Sequence, residues 1–410
     1  MRLLYLSPAA ALGGAERVLL DLLGLLRCHR PSWTLGLVVC DAGPLPDAAR
    51  TLGVHVTVLP FPDRVARMGE SPRPAVSAGF TPWVRPAARA AAAAPAAAAY
   101  LRSLRAAVAA FAPDLVHSNG LKMHLLGACA VRHGTPLLWH VHDYVSQRPL
   151  ARRAMRLARG RCRAAIAVSE SIATDVREAL GPGIAVRAVR NSVDLERFSP
   201  DGERLDLDAR AGMPPAGAGE IRIGMVGTLA RWKGHETFLR ALRALADRGC
   251  AFRAYVVGGA IYRTDDSQCS ISDLRGEAAR LGLSDRVGFI GFLPDVAPVY
   301  RALDVVVHAS TQPEPFGLVI AEGMACGRPV VVSLAGGAAE LVQPGQDALT
   351  FAPGRADELA GQLGRLRESP ALRNDLAARA RAAAVARFDP ARFVSEILDV
   401  YGDASAATAA

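Results

Sequence analysis

Two successive series of short apolar runs, alternating with segments of helical period, constrain the fold of this chain more than any other feature. The first series is Arg2–Ser7, Leu35–Cys40, Val54–Leu59, Leu115–His117, Leu137–His142, Ala164–Val168 and Ala185–Val189. The second starts afresh with Ile221–Val226, Phe252–Val257, Val287–Ile290, Val305–His308 and Pro329–Ser333. Such alternation builds parallel sheets with helices on both faces. Between the series, Phe198–Gly219 is polar, rich in Gly and Pro and without apolar period, and reads as a linker. A chain of 410 residues has room for two such sheets, each with its own core. The expectation is an α/β protein of two Rossmann-like, doubly wound parallel-sheet domains, 1–197 and 220–385, with a linker at 198–219 and a C-terminal segment at 386–410.

The formal net charge of +9 favours anionic partners: nucleic acid, anionic lipid or phosphorylated metabolites. With only 6% aromatic residues and no nucleic-acid-binding motif, nucleic acid is the weakest of the three. The seven cysteines are scattered, with no CxxC pair, which argues for a reducing compartment and against a disulfide framework or a structural zinc site. MRLLYLSP is interrupted at Pro8 too early for a signal peptide and reads as a first strand. The expected location is therefore cytoplasmic. Residues 87–110 are alanine-rich but carry Arg89, Pro95, Arg102 and Arg105, so a helix broken near Pro95 is expected rather than a membrane span. Arg64–Pro86 reads as a long mobile loop.

The stretch Pro313–Ala325, PEPFGLVIAEGMA, carries the most chemistry. A helix begins near its Phe-Gly-Leu turn, and a helix N-terminus offers free N–H groups and partial positive charge to a phosphate. Glu314 stands ahead of those amides and Glu322 about two turns further on. Two carboxylates flanking a phosphate site suit a molecule with hydroxyls on both sides of a phosphate, as in a nucleotide-sugar. Taken alone, the pair reads first as a helix cap and a solvated glutamate; the rest of the chain reverses that.

Other segments add to this. Gly13 and Gly14, between the first strand and a helix with Glu16 in its first turn, permit close approach of a ligand or merely a tight turn. His140, His142 and Asp143 end a buried strand, the edge where open α/β sheets bind ligands. A zinc reading is poor, because His140 and His142 alternate faces and no third ligand is evident. Gly227 and Thr228 end a strand, and Arg231 and Lys233 open a helix, as suits a diphosphate; a solvated basic loop is the bland reading. Gly258-Gly259 ends another strand, and Ala335-Gly336-Gly337 another. Asp206-Leu207-Asp208 matches a metal–diphosphate DxD pattern but sits in the linker and is discounted. Arg148, Arg152, Arg156, Arg159 and Arg163 form a basic helical stripe, either a solvated face or a contact with anionic lipid at the inner face of the plasma membrane.

In order, GGAE (13–16), HD (142–143), AVSES (167–171), RNSVD (190–194), GTLARWKG (227–234), EPFGLVIAE (314–322) and AGGAAEL (335–341) resemble the retaining glycosyltransferases of family 4. The resemblance implies the GT-B architecture, two Rossmann-like domains facing across a cleft, with a C-terminal helix crossing back to the first. It implies that Gly14 offers its N–H to the donor diphosphate, that Lys233 binds the diphosphate oxygens, and that Glu314 binds sugar hydroxyls. The amides around Phe316, Gly317 and Leu318 would hold phosphate and sugar, and Glu322 the ribose. His142 would contact the transferred sugar, and Asn191 would lie near the cleft floor. The family often has Arg directly after the glycine where this chain has Thr228, so Arg231 or Thr228 stands in for it.

What the resemblance implies of mechanism is same-face attack on a UDP- or GDP-sugar by a glycan or lipid-linked acceptor, with the departing phosphate accepting the proton. Lys233 and Arg231 would stabilise the leaving group without a metal, and no cofactor is expected. Two alternatives stay open: a nucleotide-sugar 2-epimerase on the same fold, and a non-catalytic scaffold with a degenerate site.

Overall fold

The computed structural model describes residues 1–66, 84–217, 219–259 and 268–409. The chain divides into two compact units, Met1–Arg190 with Ala391–Ala410, and Asn191–Pro390.

The first unit holds β1 (Arg2–Ser7), β2 (Thr34–Val39), β3 (His55–Val58), β4 (Leu115–Asn119), β5 (Leu137–Val141), β6 (Ala164–Ala167) and β7 (Ala185–Ala188). They form one parallel sheet in the order β3-β2-β1-β4-β5-β6-β7. The second unit holds β8 (Ile221–Val226), β9 (Phe252–Val257), β10 (Val287–Ile290), β11 (Val305–His308), β12 (Val330–Ser333) and β13 (Leu349–Phe351). Its parallel sheet runs β10-β9-β8-β11-β12-β13. Both sheets reverse direction of winding beside their first strand, between β1 and β4 and between β8 and β11. In doubly wound sheets ligands bind outside the carboxyl ends of the strands at such a switch point. Every residue of β4, β5, β9, β10, β11 and β12 is buried, as expected of parallel strands covered on both faces.

The strand expectations match these elements within one or two residues, except that β13 was not anticipated. Residues 67–83 of the segment expected to be a mobile loop lie outside the described residues, and its flanks belong to helices Asp63–Ala66 and Val84–Phe111. The expected break at Pro95 does not occur: Pro95 lies inside the continuous helix Val84–Phe111. An interior proline disfavours a helix by about 3 kcal/mol, but here it is exposed and flanked by alanines, the best helix formers. The segment expected to be a structureless linker contains the helix Leu207–Ala211 and is fastened to the second unit. Asp206 caps that helix, while buried Asp208 accepts from Tyr255 Oη at 2.6 Å and pairs with Arg222 at 3.1 Å. The expected basic stripe is shorter than its sequence spacing implied. Helix Pro149–Ala158 carries Arg152 and Arg156, Arg148 precedes it, Arg159 donates to the Leu180 carbonyl at 2.8 Å, and Arg163 lies beyond the helix. No helix among the described residues is long and apolar enough to cross a membrane.

The final helix, Pro390–Ala409, belongs to the first unit. Tyr401 on it shares a hydrogen bond with Tyr5 of β1 at 2.8 Å and another with His117 Nδ1 of β4 at 2.8 Å, all in buried surroundings.

Candidate functional site

At the switch point of the first sheet, Gly13 is the N-cap of helix Gly14–His29 and has an extended backbone. Asn119, the last residue of β4, donates from Nδ2 to the Ala15 carbonyl at 3.4 Å, which turns its Oδ1 toward His142. His142 Nε2 lies 2.5 Å from that oxygen, so Nε2 carries the proton and Nδ1 is left as an acceptor. Burial holds the His142 imidazole neutral, its pKa lowered to about 3. Behind it, the His140 ring lies 4.2 Å away, His140 Nδ1 meets His117 Nε2 at 3.1 Å, and His117 meets Tyr401. The structure thus brings Gly13, Gly14 and His142 to one sheet edge. It adds Asn119 and Glu16, which sequence reasoning left without a role. Glu16 is buried with Oε2 unpartnered among the described residues, and burial, with Asp143 adding, raises its carboxyl to about 7.

At the switch point of the second sheet, the loop after β8 is held by Gly227 N donating to the Val257 carbonyl at 2.9 Å and Leu229 N to the Gly259 carbonyl at 3.1 Å. The two glycine-ended strands touch closely: a Cβ at Gly258 would stand 1.8 Å from the Gly227 oxygen. Thr228 Oγ1 donates to the Gly259 carbonyl at 3.2 Å, so its hydroxyl is engaged within the loop. The short turn Arg231–Lys233 then ends at Gly234 in a left-handed conformation, φ 82°, where a Cβ would stand 1.9 Å from the Ala309 oxygen. Only glycine permits this approach, and it brings the turn against the end of β11.

Lys233 there meets Glu314: Nζ lies 2.7 Å from Oε2 and 3.0 Å from Oε1, with side chains 15% and 8% exposed. Ser310 Oγ donates to the same Glu314 Oε2 at 2.8 Å, and His308 Nε2 lies 3.2 Å from it. Burial alone would raise the Glu314 carboxyl, but Lys233 and His308 outweigh it and hold the group well below the usual carboxylate range. The Glu314 backbone also bonds both ways with the loop after β12: its N donates to the Ala335 carbonyl and its carbonyl accepts from Gly337 N at 2.7 Å.

Gly317, φ 102°, is the N-cap of helix Leu318–Ala325 and, having no side chain, makes no capping bond itself. Phe316 is buried and meets Phe388 edge-on at 6.1 Å, so only its backbone faces the turn. Glu322, on the same helix, accepts from Tyr300 Oη at 2.8 Å. Arg231 is not gathered with Lys233; its guanidinium is 62% exposed and lies 3.9 Å from Glu236. Asn191 is buried at the first residue of the second unit. Among the described residues no three His, Cys, Asp or Glu side chains converge as a set that could hold a metal ion.

Ser310 and His308 were within reach of sequence reasoning, because two polar residues stand at the end of the apolar run of β11, four and six residues before the glutamate. Tyr300 and Tyr401 carried no such signal, since their partners are remote in the chain.

Residues 220–369 match the family model for glycosyl transferases group 1, and residues 44–197 the model for glycosyltransferase family 4. The chain is 32% identical to a D-inositol 3-phosphate glycosyltransferase of Nocardiopsis dassonvillei over 313 residues, 70% of each chain. It is 33% identical to a 2-deoxystreptamine glucosyltransferase of Streptomyces kanamyceticus over 229 residues, 55% of this chain and 56% of that one. Among solved structures, Anabaena HepE in complex with UDP-glucose is similar over 98% of this chain and 99% of that one, with 26% identity and a TM-score of 0.76.

Proposed function

This chain belongs to the group 1 glycosyltransferases of family 4, with the GT-B fold, and we propose that it is a retaining, metal-independent transferase using a UDP-sugar. The observation that carries this reading is the buried Lys233–Glu314 pair at the switch point of the second sheet, beside the N-terminus of the helix Leu318–Ala325 that carries Glu322. Support for uridine over guanosine comes from HepE, whose complex holds UDP-glucose.

In the proposed reaction the bond between the anomeric carbon and the diphosphate oxygen breaks, and the electron pair leaves with the diphosphate. Lys233 turns from Glu314 to the departing oxygens, aided by the Leu318–Ala325 helix N-terminus, and Arg231 is exposed enough to swing from Glu236 and join it. Glu314, freed of its ammonium, takes hydroxyls of the sugar, and Glu322 takes those of the ribose. Asn119 fixes His142 with Nδ1 as an acceptor for a hydroxyl of the transferred sugar. The acceptor hydroxyl attacks on the face the leaving group vacates and gives its proton to the departing phosphate, so configuration is retained. Fixed cations perform the charge stabilisation that a divalent ion would otherwise supply. The acceptor class we propose is a glycan or lipid-linked precursor of a cell-surface polysaccharide or glycolipid. The helix Pro149–Ala158, with exposed Arg152 and Arg156 beside Leu150 and Leu157, is the proposed contact with an anionic bilayer.

Calorimetry with a panel of UDP-, GDP- and ADP-sugars tests the donor: one sugar nucleotide is expected to bind, and binding is expected to vanish in Lys233→Ala and Glu322→Ala. No binding by any donor, with or without acceptor, overturns the reading in favour of a scaffold. The anomeric configuration of the product and turnover in excess chelator test retention and metal independence. A free nucleotide-sugar epimer formed without acceptor favours the epimerase.

A further inference from the structure

The opposite edge of the second sheet carries a separate charged cavity. It has a volume of 440 Å³ and is lined at the amino-terminal starts of β8, β11 and β12 by Arg222, Asp304 and Arg328, from the segment before β8 by Arg204 and Asp208, and from helix Ala297–Ala302 by Arg301. Lys233 and Glu314 follow the carboxyl ends of β8 and β11, so a strand's length, roughly 15–20 Å, separates the two places.

The charges here do not balance locally. Arg222 is matched, by Asp208 at 3.1 Å. The other three arginines have no ion pair among the described residues. Arg301 is buried and spends its guanidinium on three carbonyls, of Ser199 at 3.0 Å, Glu203 at 3.1 Å and Arg197 at 2.5 Å. Arg328 is half-buried and bonds the carbonyls of Cys326 at 3.2 Å and Leu303 at 3.1 Å. Arg204, on the rim, is exposed and makes no hydrogen bond among the described residues. Against the four arginines of the lining stand three aspartates, which leaves it positive by one charge: Asp206 caps the helix Leu207–Ala211, Asp208 holds Tyr255 and Arg222, and Asp304 accepts from the Arg222 amide at 2.7 Å. Burial first, then Arg204, lowers the Arg328 pKa; Cys326 and Asp304 act the other way, and Arg301 adds a smaller push down. Carbonyl dipoles satisfy guanidinium hydrogen bonds, but they do not neutralise the charge.

We propose that this cavity is a second ligand site, taking a phosphate-bearing small molecule between Arg204, Arg301 and Arg328. Guanidinium is suited to this task because it offers paired donors to phosphate oxygens and stays charged when buried. The volume fits a ligand well beyond the size of a single phosphate ion. Such a ligand would join the segment 197–206 to the starts of β11 and β12, and no step of the transfer reaction passes through it.

The test is calorimetric titration of the full chain with inorganic pyrophosphate. The wild-type chain is compared with Arg204→Glu, Arg328→Met and Lys233→Met. Arg204 makes no hydrogen bond among the described residues, so Arg204→Glu is expected to fold as wild type, which a thermal melt checks. The expected result is a binding component that persists in Lys233→Met, weakens at least about tenfold in Arg204→Glu and Arg328→Met, and weakens further with added salt. That component would survive even if the donor site proved not to bind nucleotides, which keeps the two readings separable. Absence of pyrophosphate binding, or binding lost in Lys233→Met and unchanged in Arg204→Glu, overturns the proposal.

Discussion

Lys233 and Glu314 neutralise one another: the ammonium sits between both carboxylate oxygens, at 2.7 and 3.0 Å, and neither side chain is open to much water. In the proposed reaction each of these groups has a different partner. Donor binding therefore exchanges one buried ion pair for two charge-assisted contacts.

Removing one partner of a buried pair leaves the other uncompensated. Lys233→Ala is expected to destabilise the second unit by about 3–5 kcal/mol. The double variant Lys233→Met/Glu314→Gln should be destabilised by less than the sum of its single changes, with a coupling of at least about 1 kcal/mol. Denaturant melts of the four proteins check this; strict additivity would mean the pair is not coupled.

Ser310 Oγ donates to Glu314 Oε2, the carboxylate oxygen nearest the ammonium. Ser310→Ala is expected to lower stability by about 1 kcal/mol and raise the donor KM about fivefold, with a smaller effect on kcat. Steady-state kinetics decide it, and an unchanged KM would show that Lys233 alone positions the carboxylate.

Asn119 determines which nitrogen of His142 carries the proton. Asn119→Ala is expected to reduce kcat about 10- to 100-fold, the scale of a misplaced catalytic group. Asn119→Asp restores the acceptor but adds a charge, so it should raise the His142 pKa above its present value near 3. Histidine NMR titrations of the two variants separate positioning from mere packing.

Glu16 is predicted to make stability fall as pH rises. Its carboxyl is raised from 4.5 to about 7, so the folded chain holds that proton more tightly than the unfolded one. The associated stability is fully present below about pH 4.5 and is lost as pH climbs through about 7. The full effect is roughly 3 kcal/mol. Glu16→Gln should therefore melt above the wild type near pH 8 and close to it near pH 5. Thermal melts at both pH values test the sign.

The leucines on the basic helix are among the most exposed large apolar side chains described, Leu150 at 65% and Leu157 at 89%. Arg152→Ala/Arg156→Ala is expected to weaken binding to phosphatidylglycerol vesicles by about 30-fold, near 1 kcal/mol per arginine. Leu157→Ser should weaken it further in a salt-independent way. Vesicle co-sedimentation that is unchanged in these variants would remove the membrane contact.

What was legible in the sequence was what repeats or clusters locally. The runs of β8, β9, β10 and β11 are apolar but for Arg222, Arg253 and the closing His308 and are bounded by glycines or polar residues, and they appear where the sequence pattern placed them. β13 escaped because Leu349–Phe351 is three residues long, with a threonine at its centre. Pro95 misled because intrinsic propensity was weighed at one position and not over the alanines around it. The site's glutamates and lysine stood out beside glycine turns, but their partners did not. Asn119 and Tyr300 acquire meaning only when strand order brings β4 beside β5 and helix Ala297–Ala302 beside helix Leu318–Ala325. The reach of Arg159 to the Leu180 carbonyl likewise depends on packing that spacing alone does not encode.

The final helix has a consequence for synthesis. Tyr401 completes a buried hydrogen-bonded cluster whose other members, Tyr5, His117 and His140, leave the ribosome before any of the second unit. Domains generally fold in the order they emerge. Here the unit translated first must wait with part of its interior open while all of the second is made. Tyr5 and His117 are thus among the last residues to reach their native surroundings, and a chain that stops short of Pro390 carries that opening permanently.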